Sequence, residues 1–368
     1  MWSPLEDKYK AVKVTASNLL SGSSPPQRDG VIYQELYPGA DRMKGVGEYR
    51  CIPPAPPVGH ANFASARLGM LKLGPWGIAG GKPGDINRNP QRLVRISICI
   101  TECINALEFM YDDQDGETTK VGTWGAYKYG GSGWTTHIDI KPGEHVNHVS
   151  GTTNKKGVSS LKIMTSYRNE YGPYGKQDGT EFSLPLRQGR CEVVAFFCNY
   201  GATLESLGVY VRPRKTGSLV QVGPWGGHGG NSTDLVRANM PNRLQRITIH
   251  GGERSGERIY GFSYAYIDKK GKKIEVGPWG STSKGRKREF TMNGDNYVNF
   301  ISGTHDEYGI TSLMFIDFNE DVHGPYGCAV GHAFSLQLPE DGAAVSFFGR
   351  AGTNSLVGFG AYVALQDD

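Results

Sequence analysis

The sequence predicts an all-β protein of two homologous domains, each built from three repeated units. Three observations carry this reading. First, a glycine, one residue, an aromatic and a second glycine recur six times: Gly74-Pro75-Trp76-Gly77, Gly122-Thr123-Trp124-Gly125, Gly172-Pro173-Tyr174-Gly175, Gly223-Pro224-Trp225-Gly226, Gly277-Pro278-Trp279-Gly280 and Gly324-Pro325-Tyr326-Gly327. The aromatics are 48, 50, 51, 54 and 47 residues apart, and such a period marks one supersecondary unit that buries its apolar face only against its neighbours. Second, Gln91–Ser97 returns as Asn242–Thr248, Ser150-Gly151-Thr152 as Ser302-Gly303-Thr304, and Gly179–Leu186 as Gly331–Leu338, always 151 or 152 residues on. Third, glycine supplies 52 of 368 residues, roughly twice the ordinary share of about 7%. Glycines spread among short apolar runs indicate many strands and turns.

A step near fifty also suits a six-bladed propeller. In a propeller, neighbouring blades would be as alike as distant ones. Here likeness beyond the aromatic mark is strong at 151–152 and faint at fifty, so two three-fold domains fit better.

Residues 1–68 lack the repeat and hold Pro25-Pro26 and Pro53-Pro54-Ala55-Pro56-Pro57, which favour extended polyproline-like backbone. Tyr9, Val12, Leu19 and Leu20 are too short an apolar pattern for a helix. This segment is expected to be a Pro-rich, partly irregular arm. From 69 onward the chain reads as strands. Leu93–Ile100 is rich in β-branched residues, and Ala106–Tyr111 runs into the polar turn Asp112–Gly116. Gly179–Leu186, Glu192–Phe197 and Leu207–Val211 continue the style. No stretch shows a capped helical period. The domains expected are 69–213 and 218–365, joined by the short linker Arg212–Gly217.

Net charge is +4 with pI 8.6, short of the concentrated positive charge of a nucleic-acid binder. The densest basic run, Lys284–Arg288, reads as a solvated hairpin tip. No apolar run approaches a membrane span. Met1–Lys8 shows neither the basic start nor the apolar stretch of a secretory signal. The six cysteines are scattered, and Cys99 and Cys103 have neither redox nor zinc-knuckle spacing. They read as small core side chains, with a reducing, cytoplasmic home expected and the nucleus also open. The sequon Asn231-Ser232-Thr233 carries little weight without a signal peptide.

The ordered motifs resemble the jacalin-related lectin family. The resemblance rests on Gly74–Gly81 and Gly223–Gly230, the second Gly-Pro-Trp-Gly, the Ser-Gly-Thr segments, Tyr-Gly-Pro-Tyr-Gly, and the closing Gly208-Val-Tyr-Val211 and Gly360-Ala-Tyr-Val363. It covers roughly 70–213 and 218–365 and is closest in style to plant, tandem-domain cytoplasmic members. It implies two tandem β-prism I domains, each of three four-stranded Greek-key sheets around a pseudo-three-fold axis. It also implies a sugar site at one end of each prism, formed by the glycine-rich opening loop, the Ser-Gly-Thr loop and a Gly-x-x-x-Asp near the domain end. The chemistry is simple. A carboxylate only accepts hydrogen bonds and backbone N–H groups only donate, so together they satisfy two adjacent sugar hydroxyls. Glycines let the backbone itself approach the ring.

Carried onto domain 1, the site is Gly80, Gly81, Thr152, Thr153 and Gly201-Ala202-Thr203-Leu204-Glu205. Glutamate stands where the family has aspartate. The added methylene exceeds the ~0.5 Å tolerance of a good site, so binding weakened or retuned is expected. In domain 2 the corresponding residues are Gly229, Gly230, His305, Asp306 and Gly352-Thr353-Asn354-Ser355. There Leu356 is read as replacing the carboxylate, in a loop one residue longer, and a degenerate site is expected. Any binding there would need His228, His305, Asp306 and Glu307 to contribute. The tryptophans of the repeated mark read as packed corners ahead of sugar platforms.

Enzyme motifs are lacking. Gly280–Gly285 begins like a phosphate loop but continues Arg286-Lys287, and neither a nucleophile elbow nor a His-Glu-x-x-His occurs. The expectation is a non-catalytic protein without cofactor or metal that binds mannose- or glucose-type glycans. Self-association would supply multivalency. The alternative is an intracellular, stress- or defence-related scaffold with decayed sugar sites, whose N-terminal arm contacts a partner protein.

Overall fold

A computed structural model describes residues 69–126, 136–186, 191–214, 219–234 and 240–365. The proposed arm, residues 1–68, lies outside them. Every described element is a strand. The first domain contains β1 (Leu71–Gly77), β2 (Lys82–Gly84), β3 (Pro90–Ile100), β4 (Ile104–Asp113), β5 (Thr118–Gly125), β6 (Thr136–Asp139), β7 (Val146–Asn154), β8 (Gly157–Thr165), β9 (Glu170–Gly175), β10 (Thr180–Ser183), β11 (Cys191–Tyr200) and β12 (Leu204–Pro213). The second repeats the set as β13 (Val220–Gly226), β14 (Asn231–Ser232), β15 (Pro241–Gly251), β16 (Ile259–Asp268), β17 (Lys273–Gly280), β18 (Arg286–Thr291), β19 (Val298–Asp306), β20 (Gly309–Asp317), β21 (Val322–Gly327), β22 (His332–Gln337), β23 (Gly342–Ala351) and β24 (Leu356–Leu365).

In each domain these strands make three four-stranded units. The orders are β1-β12-β11-β2, β5-β4-β3-β6 and β9-β8-β7-β10, then β13-β24-β23-β14, β17-β16-β15-β18 and β21-β20-β19-β22. Each unit is a long central hairpin with two shorter flanking strands, and the three sheets pack face to face as a β-prism. The inward residues form the core, as the pleat requires. Leu93, Ile96 and Ile98 on β3 are sealed, while Arg95 faces solvent. Phe109 lies 5.3 Å from both Trp124 and Phe196 in domain 1. Phe262 meets Phe347, Phe359 and Trp279 at 5.2–5.6 Å in domain 2. All but the tilted Phe262–Trp279 pair are edge-to-face, and aromatic pairs of this kind add about 0.5–1.5 kcal/mol each beyond area burial.

The six repeated marks are six bulged corners. At each, the edge strand slips register against the hairpin strand beside it, as between Leu107 and Phe109 on β4 or Leu73 and Trp76 on β1. Both glycines of every mark have positive φ. A Cβ on Gly125 would overlap the Asn105 carbonyl, so no other residue fits without moving β4. Trp124, Trp225 and Trp279 are buried in these corners, and half-buried Trp76 stacks on Phe182 at 5.1 Å. They pack the scaffold.

The two prisms share one sheet edge. β1 pairs with β22 across the domain boundary, Lys72 opposite Gln337 and Leu73 opposite Leu336. The Ser335 hydroxyl donates to the Gly74 carbonyl at 2.6 Å. On the other side Leu186, just past β10, bridges to Val222 on β13, and the Gly223 N–H donates to the Pro185 carbonyl at 2.8 Å. β1 and β13 are equivalent, as are β10 and β22, so the contact is reciprocal, like the two-fold interface of a dimer. Antiparallel pairing sets the C-terminal end of β1 beside the N-terminal end of β22. Both prisms therefore aim their loop ends the same way.

One sequence expectation is refined and another holds. Lys284–Arg288 spans a bend and the start of edge strand β18. Its charges are partly matched, Arg288 and Arg286 by Glu253 at 2.6 and 3.7 Å and Lys287 by Glu289 at 3.1 Å. Cys99, Cys103, Cys191 and Cys198 are buried, as expected of small core side chains.

Buried carboxylates close the hairpin turns. Asp268, 4% exposed, accepts the Lys270 and Lys272 N–H groups at 2.8 Å each. Asp113 repeats the pattern with Asp115 and Glu117 at 3.0 Å. Asp268→Ala leaves two turn donors without their acceptor, so a loss of about 1–3 kcal/mol is expected. Asp268→Asn, which keeps an oxygen there, should lose less. Chemical denaturation of the three proteins checks the order.

Stability should also fall in two separate pH steps. Burial, first among the causes, holds the His145, His148, His250 and His305 imidazoles below their usual range. The unfolded chain then binds protons that the folded chain refuses. Stability is complete above the ordinary histidine pKa of about 6.5 and declines as pH falls below it. The Arg88 guanidinium holds Asp113 below the usual carboxylate range. Burial would raise Glu144, but hydrogen bonds from Thr165 and Asn169 outweigh it and hold it low. That stability is present above the ordinary carboxylate pKa of about 4 and fades as pH falls further. Melting midpoints from pH 8 to 3 should show both declines. A midpoint unchanged between pH 7.5 and 5.5 contradicts the first.

Candidate functional site

At the loop end of domain 1 the chain leaves the first corner and doubles back over β12. Gly77 touches that strand so closely that a Cβ would overlap the Glu205 carbonyl. The next residue locks the approach, as the Ile78 N–H donates to the same carbonyl at 3.0 Å. The loop then brings Gly80 and Gly81 against the Glu205 side chain. A Cβ on Gly81 would lie 2.7 Å from Glu205 Oε2 and 2.6 Å from the Tyr200 carbonyl, and Gly81 has φ +65°. A Cβ on Gly80 would lie 3.2 Å from Oε2, and one on Gly201 2.5 Å from Oε1. Three glycine backbones thus surround one half-buried carboxylate, and no side chain covers it from those positions. The turn is tight: the Gly201 N–H donates to the Thr203 carbonyl at 3.0 Å, and Tyr200 pairs with Leu204.

The β7–β8 hairpin supports this loop from the side. The Thr203 hydroxyl donates to the Lys156 carbonyl at 2.9 Å, and Gly157 is pressed on Leu204 and Glu205. The sequence-derived residues therefore converge on one end of the prism, with different roles. Gly80, Gly81, Gly201 and Ala202 are exposed, and Thr153 is half-buried. The side chain of Leu204 is fully buried, so it meets a ligand only through its backbone. Thr152 is also buried, its hydroxyl 2.8 and 2.7 Å from those of Ser159 and Ser160. It braces the hairpin.

Domain 2 builds the same frame with different contents. Its loop spans four residues between paired Ala351 and Leu356, against three between Tyr200 and Leu204. The longer loop was expected, but the equivalence inferred for Leu356 was not right. Leu356 matches Leu204, both fully buried, and the residue matching Glu205 is Val357. Gly226 lies opposite Gly358 as Gly77 lies opposite Ser206, and the Gly227 N–H donates to the Val357 carbonyl as Ile78 does to that of Glu205. The extra residue is absorbed inside the turn, so counting from the glycine misplaces the acid by one. Counting back from Tyr210-Val211 and Tyr362-Val363 finds it.

Val357 points its methyls where the carboxylate lies in domain 1. Its Cγ1 is 4.0 Å from a Cβ built on Gly229, and its Cγ2 is 3.6 Å from one on Gly352. The Arg350 guanidinium, unforeseen from sequence, ties down the opening loop by donating to the Gly229 and Gly230 carbonyls at 2.8 Å. Asp306 is occupied. It pairs with Arg258 at 3.1 Å and accepts the Tyr308 and Gly309 N–H groups at 2.9 Å. His305 packs against His332 with ring centroids 5.6 Å apart. Thr353 and Asn354 are exposed and Ser355 is half-buried.

The chain is similar in sequence to known proteins. The chain is 30% identical over 300 residues to a mannose/glucose-specific lectin of Parkia platycephala, covering 77% of this chain. It spans 63% of that lectin's length. It is 33% identical to horcolin of Hordeum vulgare over 148 residues, 39% of this chain and 97% of that protein. Among solved structures, a mannose-binding jacalin-related lectin from Ananas comosus is 37% identical, with 39% of this chain and 99% of that one covered and a TM-score of 0.36. The model of the jacalin-like lectin domain matches twice, over residues 73–210 and 222–362. With two prisms in the described residues and a family match on each, the chain belongs to the jacalin-like lectin family.

Proposed function

We propose that this protein is a non-catalytic lectin that binds mannose- or glucose-type glycans through domain 1, with domain 2 no longer an independent site. The observation that carries the reading is the Glu205 carboxylate set against the bare backbones of Gly80, Gly81 and Gly201. A pyranose with two vicinal hydroxyls needs an acceptor of this kind beside converging N–H donors. The relatives' names point to the same sugars. In domain 2 Val357 accepts nothing. A scaffold that binds no sugar is the second reading, and Val357 favours it for domain 2 alone.

Titration calorimetry of the whole chain with methyl α-mannoside tests the assignment. Charge-assisted hydrogen bonds contribute about 1.5–3 kcal/mol each, so Glu205→Ala should weaken binding at least about tenfold. Glu205→Asp should bind at least as well as the natural protein, because the shorter side chain removes a rotor and withdraws the carboxylate from the glycines. Gly81→Ala should weaken binding with Glu205 unsubstituted, since the new Cβ displaces its carboxylate. Binding indifferent to Glu205→Ala sinks the site, and no binding of mannosides or glucosides sinks the lectin reading.

A further inference from the structure

The reciprocal strand pairing leaves a cleft of about 1980 Å³ between the two prisms, walled by both. It reaches the opening loop of the candidate site, one loop away from the Glu205 carboxylate, which does not itself line it. Gly80 and Gly81, whose backbones touch the Glu205 carboxylate, are also lining residues of the cleft, as are Thr153, Asn154 and Gln177. The opposite wall belongs to domain 2: His228, His305, Val330 and His332. The site and the far wall open the same way because β1 and β22 run antiparallel with their loop ends together.

We propose that this cleft extends the Glu205 site and takes further residues of a neutral oligosaccharide, with domain 2 as its far wall. The proposal rests on the lectin reading above. Size is the first argument. Small-molecule pockets are about 300–1,000 Å³, so a volume near twice that range suits several linked sugars better than one. Chemistry is the second. The walls offer side-chain amides at Asn154 and Gln177, hydroxyls such as Thr153 and Ser183, and imidazoles, all of which pair with sugar hydroxyls. Charge there is nearly balanced: Lys72 pairs with Asp85 and Lys162 with Glu170 at 2.8 Å each, and Lys155 and Glu181 add one charge of each sign, which favours a neutral chain over an acidic one. Burial and the neighbouring His332 hold the His305 ring below its usual range, so near neutral pH it presents one donor and one acceptor. Domain 2 thus keeps a role after losing its acid. Its opening loop and hairpin tip, including exposed His228, form a wall of someone else's site.

The test compares methyl α-mannoside with linear α-mannopentaose by calorimetry on the whole chain. The pentaose should bind at least about tenfold tighter, a difference of ~1.4 kcal/mol. Val330→Arg and His332→Ala, both on exposed domain 2 positions, should remove most of that advantage and leave monosaccharide affinity unchanged. Glu205→Ala should weaken both ligands. A pentaose no tighter than the monosaccharide, or an advantage that survives both domain 2 substitutions, overturns the proposal while leaving the Glu205 site intact. If neither sugar binds, the lectin reading fails and the cleft proposal falls with it.

Discussion

The architecture depends on one constraint: at six corners the backbone of an edge strand lies closer to its neighbour than any Cβ permits. The glycines there are structural because the space is already taken by backbone, such as the Asn105 carbonyl beside Gly125. Each corner bends the strand, increases the local twist and sets an aromatic ring in or against the core. Repeating it three times closes three sheets around one core. The candidate site is an extension of the first corner. Gly77 meets Glu205 through its backbone, Ile78 hydrogen-bonds to it, and Gly80 and Gly81 follow within three residues. The geometry that closes the prism also delivers the opening loop to the acid.

Much of this is legible in the sequence, because close backbone approach requires glycine and glycine is visible. The six marks, their two sets of three and the 151–152 offset follow from that requirement. The position of the acid in domain 2 is not legible from the loop alone. A turn that gains one residue changes no hydrogen bond in the strands on either side, so a motif counted through the turn slips by one. Leu356 reads as the replacement although its side chain belongs to the core beside Ile310 and Phe359. Val357 emerges only when the count starts from a fixed register, which strands have and turns lack. Thr152 is a second instance. A threonine on a candidate loop is indistinguishable in sequence from one whose hydroxyl turns inward to Ser159 and Ser160.

The relation between the domains lies further from the sequence. Nothing in β1 or β22 announces that they pair across the domain boundary, since both are ordinary flanking strands of their own sheets. Flanking strands have unpaired N–H and carbonyl groups, which favour association with another edge. Here the available edge is another part of the same chain. The Leu186–Val222 bridge and the Gly223 N–H to Pro185 bond make the complementary contact, so the two prisms are braced on both sides of the pseudo-two-fold.

That bracing changes what loss of the acid in domain 2 means. An independent second site would be tolerant of orientation, and its decay would leave a domain with nothing to hold in place. Domain 2 is instead held firmly. Its opening loop is tied by Arg350 at Gly229 and Gly230, its hairpin tip by Asp306 and Arg258, and its first strand by Leu186. A valine at 357 packs this frame where an unpaired buried carboxylate would strain it. On the proposed reading, domain 2 lacks the ligand acceptor and keeps an opening loop tied down by Arg350. On that reading, a tied loop beside the Glu205 site is what a wall requires, because a wall acts by position and needs no charge of its own.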